Sequence, residues 1–261
     1  MLTVTGVNLS FGSLQVLRSI DISVNPGEFV ALVGPSGCGK SSLLNIIAGL
    51  EQPDSGTIQL DGAPVTKRLG LFAYMPQHDA LLPWRSVLDN AILAAEVAGV
   101  DRNNARRRAR ELLPAFGLEG FADAYPDTLS GGMRQRAAFL RTILSDRPIL
   151  LLDEPFGALD ALTRRLMQEW LLGLTASLGR SVLMVTHDLE EALMLADRVA
   201  LMTARPGRIK WVEDVTLPRP RHPEMALDPA FVEQKARLLD ELRSEFAGIT
   251  TQQPAVIGAT R

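Results

Sequence analysis

Residues Gly34-Pro35-Ser36-Gly37-Cys38-Gly39-Lys40-Ser41 lie between an apolar run, Phe29 to Val33, and a helix-like run, Ser42 to Leu50. A glycine-rich loop joining a buried strand to a helix is the setting of a phosphate-binding loop. The glycines let the backbone curl so that successive N–H groups face one anion, and the helix that Ser42 helps to open adds its positive end. Lys40 is placed to reach the outer phosphates of a triphosphate, and the Ser41 hydroxyl to ligate the Mg²⁺ that bridges them. Cys38 has two readings: a thiol whose pKa is lowered at an electropositive helix start, or a small residue tolerated in the loop.

A chain of 261 residues with 46% hydrophobic content buries one substantial core, with room for a smaller appended subdomain. A single cysteine excludes an internal disulfide framework and fits a reducing compartment. The first residues lack the basic segment and apolar core of a secretory signal, so the expected location is the cytoplasm. No apolar run approaches the roughly 18 residues of a membrane-spanning helix. The net charge of −3 argues against nucleic acid as a partner. Arg102, Arg106, Arg107, Arg108 and Arg110 read as the solvated face of a helix.

Strand-like alternation opens the chain at Leu2 to Val4 and Val16 to Val24, followed by a turn at Asn25-Pro26-Gly27 and a strand running from Glu28 into the phosphate loop. An N-terminal antiparallel β layer is predicted. Further strands are predicted at Thr57 to Leu60 and Leu71 to Met75. Residues 83–142 are rich in Ala, Leu, Arg and Glu and read as an inserted α-helical subdomain. Strands at Ile149 to Leu152, Ser181 to Val185 and Arg198 to Met202 alternate with helical patterns, which predicts an α/β core with a parallel or mixed sheet. An edge strand is predicted at Ile209 to Val215. The main domain is bounded at 1–225, and 226–261 forms a terminal helix and tail: Asp228-Pro229 starts the helix, Phe231, Leu238, Leu239, Leu242 and Phe246 recur on one face, and the chain frays from about Thr250.

Two further stretches carry chemistry. Ile149-Leu150-Leu151-Leu152-Asp153-Glu154-Pro155 is an apolar strand ending in two carboxylates, at the edge where parallel sheets bind ligands. Asp153 is placed to hold the metal through its hydration shell, and Glu154 to accept a proton from a water attacking the γ-phosphorus. Leu129-Ser130-Gly131-Gly132 opens a second helix and supplies a second anion site that one nucleotide cannot use together with the first in so small a domain. With this stretch the chain resembles the ATP-binding cassette family, whose signature is Leu-Ser-Gly-Gly before an amphipathic helix. The resemblance covers almost the whole chain and implies a P-loop NTPase fold using ATP and Mg²⁺.

The same resemblance assigns roles at individual positions. Phe11 stands where an aromatic ring stacks on adenine, although the family more often has Tyr there. Gln77 matches the glutamine that senses Mg²⁺ and the transport partner. Asp160, in Ala158-Leu159-Asp160, matches the loop that meets an opposing subunit, and His187, in Thr186-His187-Asp188, the switch histidine at the γ-phosphate. His78 and His222 have no such context and read as surface residues. Met133 departs from the family's usual Gln and leaves Ser130, Gly131 and Gly132 intact.

By resemblance, the phosphate loop of one chain faces Ser130 of a second copy, making ATP part of a homodimer interface. Transmembrane permease subunits are implied as further partners, with a periplasmic or surface solute-binding protein beyond them, and the ATPase is implied to sit peripherally on the cytoplasmic face of the inner membrane. Leu81-Leu82-Pro83-Trp84-Arg85-Ser86-Val87-Leu88-Asp89-Asn90 and Arg205-Pro206-Gly207-Arg208-Ile209 resemble the nitrate, sulfonate and taurine branch of bacterial importers. Importers of pyrimidine-type thiamine precursors share much of this pattern. A soluble, non-transport cassette ATPase is a second class, but such proteins usually carry tandem cassettes or a long coiled-coil insertion, and this chain has neither.

Overall fold

The computed structural model describes residues 1–250, with side chains placed except at 176–178 and 245–250. The predicted fraying beyond Thr250 and the side chain of Phe246 lie outside the described residues. The chain opens with strands β1 (Leu2–Phe11), β2 (Leu14–Val24) and β3 (Phe29–Val33), and then helix α1 (Lys40–Ala48). Strands β4 (Ser55–Leu60), β5 (Ala63–Pro64) and β6 (Ala73–Met75) follow, and then α2 (Val87–Ala91), α3 (Leu93–Val97), α4 (Arg102–Leu112) and α5 (Gly131–Leu144). The remainder alternates: β7 (Ile149–Asp153), α6 (Ala161–Leu178), β8 (Ser181–Thr186), α7 (Leu189–Leu195), β9 (Arg198–Met202), β10 (Ile209–Asp214) and α8 (Pro229–Thr250).

Two sheets result. One is an antiparallel layer in the order β2-β1-β4-β5; the other runs β10-β9-β3-β8-β7-β6, parallel throughout except for the antiparallel edge strand β10. Every residue of β3, β7 and β8 is buried, as expected of parallel strands covered on both faces. Alternate residues of these strands feed two cores. Val30, Leu32, Leu151 and Leu183 join Leu43, Leu44 and Ile47 of α1 and the inner face of the antiparallel layer. Ala31, Val33, Leu150, Leu152 and Met184 pack instead with Phe139, Leu140, Met167 and Leu193 from α5, α6 and α7.

The structure extends some predicted strands and trims others. β1 continues past Val4 to Phe11 because Gly6 takes a left-handed φ of 59° within an irregular register, so the strand bulges instead of ending. The strand predicted from Leu71 starts only at Ala73, where pairing with Leu150 begins. β5, a two-residue strand directly after the Asp61-Gly62 turn, is not predicted; its residues carry no alternation to read. Within 83–142 the helices are interrupted by a helix-free stretch with two short 3₁₀ turns, Pro114–Phe116 and Pro126–Thr128.

The arginines of α4 are only partly the solvated face expected. Arg106 pairs with Asp89 on α2 at 2.5 Å, and Arg102 reaches both Asp89 at 3.2 Å and Glu96 on α3 at 3.0 Å. The terminal helix begins at Pro229 and buries Phe231 and Leu238 against the second core. Among the described residues, no helix is long and apolar enough to cross a membrane.

Register decides where the chemistry sits. Val33 pairs with Thr186 and Asp153 with Val185, so β3, β7 and β8 end at one level. The phosphate loop, the carboxylate pair and His187 therefore leave the sheet side by side. Met75 pairs with Leu152, which brings Gln77 to the same edge.

Candidate nucleotide site

The phosphate loop wraps the start of α1. Gly39 is the N-cap, with φ 105°, and a Cβ there would lie 2.7 Å from Leu17 Cδ2; both conformation and space require glycine. Lys40 is buried, and its ammonium donates to the carbonyls of Gly34 at 2.7 Å and Pro35 at 2.9 Å. The loop thus stores its cation on its own backbone, within one side-chain swing of an arriving phosphate. Cys38 is fully buried, and burial raises its thiol pKa despite the opposing charge of Lys40. The thiol stays protonated, so the activated-thiol reading falls: the desolvation cost of a buried thiolate exceeds the help from the helix start.

A cavity of about 350 Å³ opens over this loop. Ser36, Gly37, Gly39, Lys40, Ser41 and Ser42 line it; Phe11, Leu14 and Val16 add an apolar wall, and Gln77, Glu154 and Arg205 complete it. Phe11 is 52% exposed, a ring in solvent at a strand end and not a core residue. Size, a polar floor and one apolar wall suit a nucleotide.

Asp153 lies beneath the cavity and is 2% exposed. Burial raises its carboxyl pKa, opposed by a hydrogen bond with the Ser41 hydroxyl and by the charge of Lys40. Its Oδ1 is buried without a hydrogen-bond partner, an orphaned anionic oxygen beside a serine hydroxyl. Glu154 adopts φ 47°, held by donation from its N–H to the Val185 carbonyl at 2.9 Å. That kink turns its carboxylate toward the cavity, where Oε2 lies 3.3 Å from Nδ1 of His187. Gln135 of α5 donates to the Pro155 carbonyl at 3.2 Å and so ties α5 to the segment that follows Glu154.

Ser130, Gly131, Gly132 and Asp160 do not line this cavity. Ser130 caps α5, accepting from Met133 N–H at 3.2 Å, and Asp160 caps α6, accepting from Thr163 N–H at 3.0 Å. The hydrogen bond from Thr163 lowers the pKa of the exposed Asp160 carboxyl. A Cβ on Gly132 would stand 3.6 Å from the Ala158 carbonyl, so the two helix starts neighbour one another on one surface. Arg205, Leu14 and Val16 are lining residues that sequence reasoning did not select. Alternation marks Leu14 and Val16 only as strand residues, and Arg205 entered only through a stretch resembling one importer branch, outside the nucleotide motifs.

A parallel sheet with a phosphate loop after one strand, a carboxylate pair after another and a histidine after the strand between them defines a P-loop nucleoside triphosphatase. The model of the ABC transporter family matches residues 17–157, and the chain belongs to that family as an ABC ATPase. It is 46% identical over 243 residues to the aliphatic sulfonates import ATP-binding protein SsuB 1 of Rhodococcus jostii, covering 92% of this chain and 93% of that one. The nitrate import ATP-binding protein NrtC of Synechococcus elongatus is 44% identical across 90% of this chain, which spans only 36% of NrtC. The formylaminopyrimidine import ATP-binding protein ThiZ of Halalkalibacterium halodurans is 40% identical, covering 94% of this chain and 95% of ThiZ. The dimeric ATP-binding cassette MJ0796 in a post-hydrolysis state with ADP and Pi superposes with a TM-score of 0.74 at 29% identity, covering 84% of this chain and all of that one.

Proposed function

We propose that this chain is the ATP-hydrolysing subunit of an importer, working as a homodimer on the cytoplasmic face of the inner membrane and driving a small solute through a separate permease. The observation that carries this reading is the divided site. The phosphate loop and Glu154 line one cavity, Asp153 bonds to Ser41 beneath it and His187 stands against Glu154 at its side, while the helix start at Ser130 lies outside that cavity with its hydroxyl accepting from its own helix. A second copy turned about a two-fold axis would bring Ser130, Gly131 and Gly132 over the open side of the nucleotide, with Asp160 beside them.

In this reading Lys40 leaves the Gly34 and Pro35 carbonyls for the outer phosphates, and Phe11 stacks on the base. Ser41, Asp153 and Gln77 would hold Mg²⁺, for which the orphaned Asp153 oxygen and the serine hydroxyl are fitting hard donors; the ion supplies charge neutralisation at the β- and γ-phosphates. Glu154 accepts the proton of the attacking water. His187, in contact with Glu154, holds that carboxylate in place and meets the γ-phosphate. Loss of the γ-phosphate removes the anion that both copies grip, and the interface opens. Residues 83–142 act as an inserted helical subdomain within a 1–225 ATPase domain and pass this motion to the permease near Gln77 and Trp84, a 71% exposed indole.

The solute class we propose is a small oxyanion of the nitrate, sulfonate or taurine type, delivered by a binding protein. The similarity to ThiZ favours a pyrimidine-type thiamine precursor as the second reading. The dimer is tested with the hydrolysis-deficient Glu154→Gln chain on a sizing column: ATP shifts it to a dimer and ADP does not. A chain that stays monomeric with ATP overturns the shared site. Transport is tested by co-expression with a candidate importer permease, where uptake of taurine or nitrate against formylaminopyrimidine separates the two solute readings.

A further inference from the structure

The loop joining β9 to β10, residues 203–208, rests directly on the phosphate loop. Its Gly207 N–H donates to the Val16 carbonyl at 2.8 Å, and its Gly207 carbonyl accepts from Arg18 N–H at 3.0 Å. A Cβ at Gly207 would stand 2.2 Å from the Cys38 carbonyl oxygen, so only glycine allows the two backbones to touch. The loop is also closed on itself. Thr203 N–H donates to the Arg208 carbonyl at 2.9 Å, Arg208 N–H returns to Thr203 Oγ1 at 3.0 Å, and the Thr203 hydroxyl donates to the Pro206 carbonyl at 3.2 Å.

This rigid support carries Arg205 to the rim of the nucleotide cavity, where Nε and Nη2 both donate to the carbonyl of Gly37, at 3.0 and 2.7 Å. Gly37 has φ 75°, and the plane of its peptide with Cys38 sets the direction of the amide that follows. A glycine-rich loop left to itself samples many such planes, each aiming its amides differently, and ordering it on binding costs conformational entropy. A planar two-pronged donor on one carbonyl removes that freedom before the ligand arrives.

We propose that Arg205 is a nucleotide-positioning residue, its guanidinium clamping the Gly37 carbonyl at the cavity rim so that the phosphate loop is held in its anion-receiving shape. The inference rests on the nucleotide reading of this site. It acts through the loop backbone, so its loss weakens binding more than turnover. Arg205 is exposed, and its removal leaves no buried charge behind.

Calorimetric titration of the purified chain with Mg²⁺ and ADP, beside steady-state ATPase kinetics, tests the clamp. In Arg205→Ala the Kd for ADP rises about five- to tenfold, the scale of one lost charge-assisted contact. KM for ATP rises by a similar factor while kcat falls by less, and the melting temperature stays that of the parent. Arg205→Lys, with one donor in place of the fork, recovers only part of the affinity. A Kd within about twofold of the parent in Arg205→Ala overturns the proposal. So does full recovery by Lys, which would mark a plain charge effect, or a kcat loss larger than the KM rise. If the parent chain itself binds no ADP, the nucleotide reading fails instead.

Discussion

Glu154 occupies a left-handed conformation that costs a non-glycine residue about 1–3 kcal/mol and persists only where the surroundings impose it. Here the hydrogen bond to Val185 imposes it, and the result is a carboxylate aimed into the cavity against His187. Glu154→Gln should keep ATP binding and lower turnover by about two orders of magnitude or more, since the isosteric amide cannot accept the water's proton. Steady-state hydrolysis beside nucleotide titration checks both halves, and unchanged turnover removes Glu154 from the base role. Glu191 shows a different use of a buried carboxyl. It is 6% exposed and accepts from Gln168 at 3.0 Å, and burial raises its pKa despite hydrogen bonds from Thr186 and Gln168. A carboxyl whose folded pKa is raised favours folding in its protonated form, so its contribution is full below the unfolded pKa and fades as pH rises through the folded one. The melting temperature of Glu191→Gln minus that of the parent should therefore grow as the pH rises from the ordinary glutamate pKa of about 4.3 toward neutrality. A difference that stays flat across that range contradicts the sign.

At the scale of elements, an aromatic knot joins three separate parts of the chain to α5. Phe139 of α5 meets Phe116, Phe156 and Trp170 edge-on, with ring centroids 5.7, 5.9 and 5.9 Å away. These rings come from the turn after α4, from the segment just beyond Glu154 and from α6, so one cluster ties the helix capped by Ser130 to the carboxylate strand. Phe139→Ala should cost about 3–5 kcal/mol of unfolding free energy, a loss of buried area plus a cavity with rigid walls. Denaturant titration measures it, and a cost below about 1 kcal/mol would show that the knot relaxes around the gap. Helix existence was legible in this region from composition, but the knot was not. Phe116, Phe139, Phe156 and Trp170 stand at no common period, and only the folding of α5 over β6 and β7 brings them together.

For the whole molecule, the proposed sharing of one nucleotide between two copies turns on Ser130, which does not line the cavity of its own chain. Ser130→Arg places a long cation at the start of α5, outside the cavity of its own chain. Binding of ATP by the single chain should stay within about twofold of the parent, whereas the ATP-dependent dimer of the Glu154→Gln background should not form. Sizing chromatography with and without ATP decides it, and a dimer that still assembles shows that Ser130 does not face the nucleotide.

The amino-acid order by itself determined the phosphate loop, the carboxylate strand, the Ser130 helix start and the alternation that makes an α/β core. Each is a local pattern whose physics is complete within about ten residues. What only the tertiary structure decided are the distances between those patterns. Parallel register set Val33, Asp153 and Thr186 at one level, burial raised the thiol pKa of Cys38, and backbone contact through Gly207 delivered Arg205 to a loop 168 residues away in sequence. Such facts depend on which surfaces exclude water and which backbones touch, and no short stretch of sequence contains them.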